Sequence, residues 1–98
     1  MLDNSEEWQK YLDTLSFENR AIEIKNKILD GLEDETSKQC FQDCFEYVLN
    51  LYKQNKPLEA NLFRIHLEDI KGYKNIKLEE FIRIILLLSY CGFNISEN

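Results

Sequence analysis

Phe81-Ile-Arg-Ile-Ile-Leu-Leu-Leu-Ser-Tyr-Cys91 is an apolar stretch of helix length near the carboxyl end of a 98-residue chain, and the fold turns on how it is read. It is too long for an ordinary strand, follows Leu78-Glu79-Glu80, and stops at Gly92, a residue suited to the left-handed position after a helix. At about 100° per residue its large side chains spread over most of the circumference, so this helix is expected to be the buried axis of the fold. Glu79, Glu80 and Arg83 share one narrow wedge, the expected wet side. A membrane span needs about 20 apolar residues, and this run is shorter and holds Arg83 near its start, so a core helix is the better reading.

Four more helices are predicted upstream. Asp3 and Glu6 offer a capping pair before Trp8, Tyr11, Leu12 and Leu15, which predicts a first helix near 4–14. Phe17, Ala21, Ile24 and Ile28 recur in steps of four and three, giving a second over 17–30 that stops at Gly31. Cys40, Phe41, Cys44, Phe45 and Val48 make the third, 37–54, the clearest amphipathic element, with Thr36 and Gln39 as its capping box. Pro57 is acceptable in a first turn, so a fourth helix is predicted over 57–71, punctuated by Gly72. The expected fold is therefore an all-α, compact bundle of about five helices in one domain, 1–93, with helices 3 and 5 most buried and 94–98 a flexible tail.

Hydrophobic residues make up 44% and charged residues 31% of the chain, which excludes a disordered polypeptide. The net charge is −6, and its distribution is uneven. Residues 1–49 carry twelve acids against five bases, whereas residues 50–98 carry six against seven. Nucleic-acid affinity rests on neutralising phosphates with Lys and Arg, so this balance speaks against DNA or RNA and for a basic protein partner. Lys71, Lys74 and Lys77 read as a solvated loop rather than a phosphate contact. The amino terminus has no basic region followed by an apolar stretch, so no secretory signal is expected.

Residues able to do chemistry are few. Cys40, Cys44 and Cys91 sit among apolar neighbours, the pattern of cysteine used as a small hydrophobe in a reducing compartment, so a cytoplasmic location is expected. Cys40 and Cys44 are four apart on one helix face, poorly placed for a disulfide. His66, the one histidine, falls on the apolar arc of helix 4 three residues before Asp69 and reads as a half-buried imidazole rather than a catalytic base. A zinc set of Cys40, Cys44, His66 and Cys91 lacks the usual ligand spacing, and phosphate-loop, dinucleotide and calcium-loop patterns do not occur. No enzyme, metal or cofactor is expected.

Asp30, Glu33, Asp34, Glu35, Asp43 and Glu46 remain as the expected partner-binding residues. Part of that charge has a structural use, since carboxylates before a helix interact favourably with its dipole. Gathered on one surface, the six would steer and hold a basic protein by charge and block it sterically, the physical type of immunity proteins and anti-defence inhibitors. The alternative is a structural subunit or helical adaptor, with Trp8, Tyr11, Tyr73 and Phe93 anchoring a homo-oligomer or larger complex.

Overall fold

In the computed structural model, which describes residues 5–69, 73 and 77–96, the chain is all α-helix apart from its connections. The order is α1 (Ser5–Asp13), α2 (Phe17–Gly31), α3 (Glu35–Lys53), α4 (Ala60–Asp69) and α5 (Leu78–Tyr90). The predicted cap Asp3 and the predicted stop Gly72 lie outside the described residues. Among the described residues no helix is long and apolar enough to cross a membrane.

Each helix end has an identifiable chemical cause. Ser16 caps α2, its Oγ accepting from the Asn19 N–H at 3.2 Å. The cap of α3 is Asp34, not Thr36. One Asp34 oxygen accepts from the Ser37 N–H at 2.9 Å and the Ser37 hydroxyl at 3.1 Å, so a carboxylate that also suits the helix dipole wins over a neutral hydroxyl two residues later. At the far end Asn55 turns left-handed at φ 58°, and the Lys56 and Asn55 amides reach back to the Leu51 and Tyr52 carbonyls. α4 starts only at Ala60, so Pro57 lies in the connection rather than in a first turn.

Gly92 ends α5 as expected, at φ 111°, with its own amide on the Ser89 carbonyl and that of Phe93 on the Leu88 carbonyl. A Cβ there would stand 3.1 Å from Cε1 of Phe17. Strained backbone and crowding act together, so Gly92→Ala is expected to lower unfolding free energy by about 1–2 kcal/mol in urea titration.

The core takes one face from every helix. α3 supplies most, with Phe41, Cys44, Phe45 and Val48 buried, and it packs on both α2 and α5. α2 adds Ala21 and Ile24, α4 adds Phe63 and Leu67, and α5 adds Phe81, Ile84 and Leu88. Phe93 is also core, edge-on to Phe17 and Phe45, rather than the exposed anchor expected of it. The chain does not become free at residue 94. Ile95 is half-buried, and Ser96 exchanges hydrogen bonds with Leu58 and Ala60 at 2.8 and 2.9 Å. The connection into α4 and the chain end thereby hold one another, and residues 97–98 lie outside the described ones.

α5 is not the wrapped axis that its composition suggests. The Cα trace measures 40 × 32 × 18 Å, and helices that pack about 8–10 Å apart fill such a thickness in two layers, so every helix keeps a side in water. On α5 that side carries Leu78, Ile82, Leu86 and Tyr90, with Glu79, Glu80 and Arg83 also exposed as the charge pattern predicts.

Candidate functional site

The solvent side of α3 is built from the residues its buried face leaves over. With Phe41, Cys44, Phe45 and Val48 inward, Glu35, Gln39, Gln42, Asp43, Glu46 and Asn50 fall on the opposite arc. Hydrogen bonds run along it at four-residue spacing. Gln39 donates to Asp43 and Gln42 to Glu46, each at 3.0 Å. A shallow groove of about 240 Å³ at its amino-terminal end joins Asp30 of α2 to Glu35, Gln39 and Gln42 of α3. Asp30, Glu35, Asp43 and Glu46 therefore share one strip.

Two expected members stand apart from it. Asp34 is engaged as the α3 cap, and Glu33 is exposed in the connection before it. Two lysines border the strip: Lys38 lies 3.7 Å from Glu35, and Lys25 donates to Gln42 at 3.3 Å while resting 5.3 Å over the Phe45 ring. Among the described residues Asp30, Asp43 and Glu46 have no cation within ion-pair distance; the ion pairs are Lys38 with Glu35, Lys53 with Glu18 and Arg64 with Glu68.

Behind the strip, between α3 and α5, lies a cleft of about 350 Å³. Leu32, Phe41, Ile84 and Leu87 form its apolar wall, and Cys40, Tyr73, Lys77 and Arg83 stand at its polar side. The Tyr73 hydroxyl donates to Asp43 at 3.0 Å, and burial together with that bond pushes Tyr73 up to about 12. Sequence reading did not find this cleft, because it depends on the approach of two helices whose facing residues are ordinary apolar ones.

The reactive side chains divide by burial. A hydrogen bond from the Cys44 thiol holds half-buried Cys40 below the ordinary thiol range, while burial and the nearby Asp43 and Glu80 oppose it. Burial pushes Cys91 up to about 12, against a weaker pull from Lys25. A thiol reagent is expected to modify Cys40 quickly, with Cys44 and Cys91 reacting no faster than the chain opens; two fast thiols per native chain, counted by mass spectrometry, would contradict the burial. His66 is half-buried and stacked on Tyr47, ring centroids 3.8 Å apart, while Asp69 is exposed. Cys40, Cys44, His66 and Cys91 do not converge, and among the described residues no three His, Cys, Asp or Glu side chains are grouped to hold a metal.

The outer side of α5 is the second surface. Leu78, Ile82, Leu86 and Tyr90 are 59%, 48%, 64% and 76% exposed, a row with one residue every four. The signal for this row was present in the sequence as a strict four-residue step, but the apolar residues between its members hid it. On α4, Leu62 and Ile65 are likewise exposed while Phe63 and Leu67 point inward.

In comparisons with protein families, with curated proteins and with solved structures, the chain matches none. Its surfaces are therefore read from their own residues.

Proposed function

We propose that the chain is a protein-binding module with no chemistry of its own, which occupies the surface of a basic partner through the strip formed by Asp30, Glu35, Asp43 and Glu46. The observation that carries this reading is how the strip is held: Asp43 and Glu46 are oriented by the neutral amides of Gln39 and Gln42, which fix the carboxylates without cancelling their charge. A pre-oriented anionic face loses little freedom on docking, and its field raises the rate at which a basic surface finds it. Glu33 and Asp34 add to that field from the turn, Asp34 chiefly as a cap. The mode of action is occlusion, steric and electrostatic, as in immunity-type inhibitors. Three free cysteines suit work in the reducing cytoplasm.

The test leaves the Asp34 cap intact. Protein captured from the native host by the wild-type chain is compared with capture by the Asp30→Asn, Glu35→Gln, Asp43→Asn, Glu46→Gln variant, at low and at high salt, with identification by mass spectrometry. A basic protein that is held by the wild type, lost to the variant and weakened by salt supports the reading. Capture unchanged by the variant, or insensitive to salt, overturns it.

A further inference from the structure

The surface left unused by the acidic strip is the apolar row on α5, and it differs from the strip in every respect that governs association. We propose that this row joins two copies of the chain, α5 against α5, antiparallel across a two-fold axis.

The first reason is the symmetry of the row. A two-fold contact must be self-complementary, residue i meeting j while j meets i. Leu78, Ile82, Leu86 and Tyr90 are centred on position 84, so reversing one helix sets Leu78 on the partner's Tyr90 and Ile82 on the partner's Leu86. Rows of four-residue spacing are also the ridges that interlock in the commonest class of helix crossing, near −50°, which aligns the two rows along their length.

The second reason is area. At the observed exposures the four side chains leave on the order of 450 Å² of each copy in water, about 900 Å² for the pair. Half-buried Ile85, exposed Ser89 and the stems of Glu79 and Arg83 border the row, and full coverage of them with it would reach the lower end of the roughly 1,200–2,000 Å² of specific interfaces, the ceiling for this contact.

The third reason is charge. Glu79, Glu80 and Arg83 are the exposed charged residues of α5, two acids and one base, so this side of the helix carries one net negative charge on a chain of net charge −6. A single net charge offers little to draw a basic protein or an anionic lipid surface, so association on this side rests on its apolar side chains. Residual repulsion between the chains should make pairing stronger as salt rises, the opposite of the response expected of the strip.

Sedimentation of the full chain between about 1 and 200 µM tests the proposal, with a dissociation constant expected on the order of 10 µM for an interface of this size. Leu86→Lys, at an exposed position, should weaken pairing at least about tenfold while leaving the melting temperature of the dilute chain in place. The register is read by mixing Ile82→Cys with Leu86→Cys chains in a Cys40→Ser background. The mixture should form an intermolecular disulfide faster than either variant alone. A wild-type chain that stays monomeric at about 200 µM, a Leu86→Lys chain that pairs undiminished, or faster cross-linking within a single variant overturns the proposal. None of these outcomes depends on the acidic strip, so the two readings stand or fall separately.

Discussion

Leu88→Lys is expected to abolish the folded state at 25 °C, with loss of the cooperative urea transition and of native helical circular dichroism. Leu88 is fully buried on the inner side of α5, beside Phe81 and Ile84 along the same face. Removing a buried leucine costs about 2–5 kcal/mol, and placing an ammonium group there adds several more, because among the described residues no carboxylate belongs to the core to pair with it. A domain of this size is stable by roughly 5–15 kcal/mol in all, so the sum meets or exceeds what is available. A Leu88→Lys chain that melted cooperatively near the wild-type temperature would mean that the inner face of α5 is not packed as described.

Phe45→Ala is expected to be the most damaging truncation of the aromatic cluster, lowering unfolding free energy by about 3–5 kcal/mol in urea or thermal titration. Phe45 is buried on α3, 5.7 Å from the ring of Phe93, which in turn touches Phe17 and Tyr52. Phe17 is the first residue of α2 and Phe93 follows α5, so Phe93 joins the start of one helix to the end of another, and Phe45 is the α3 side chain on which that ring rests. Lys25 covers the ring from outside and would lose its aromatic support as well. A loss below about 1 kcal/mol would show that the cluster closes over the gap or was never tight.

The helices themselves were legible because most of them alternate cleanly. Phe41, Cys44, Phe45 and Val48 stand at i, i+3, i+4 and i+7 with Gln42, Asp43, Glu46 and Tyr47 between them, and the structure buries those four. Such a pattern fixes both the helix and its inward face. α5 was legible as a helix but not in its phase. Its positions are apolar nearly all round, so the wedge of Glu79, Glu80 and Arg83 marks one wet edge but does not reveal that Leu78, Ile82, Leu86 and Tyr90 turn out beside it while Phe81, Ile84 and Leu88 turn inward.

Non-local pairings were the other blind spot. Nothing near Ser96 announces that its backbone will pair with Leu58 and Ala60, and nothing near Tyr73 announces Asp43, thirty residues away, as its acceptor. The acidic strip was partly legible, since helical spacing alone places Glu35, Asp43 and Glu46 together. The capping role of Asp34 was not, because Thr36 with Gln39 fits the capping-box pattern and only the geometry of the turn starts the helix at Glu35.

A lysine scan along α5, one position at a time from Leu78 to Tyr90 and read as unfolding free energy in dilute solution, tests most directly the idea that this helix belongs half to the core and half to the surface. The expected trace is periodic, with losses of several kcal/mol at Phe81, Ile84 and Leu88 and changes within about 0.5 kcal/mol at Leu78, Ile82, Leu86 and Tyr90. Losses of similar size at both sets would mean that α5 is enclosed on all sides, leaving no apolar row for a second copy to meet.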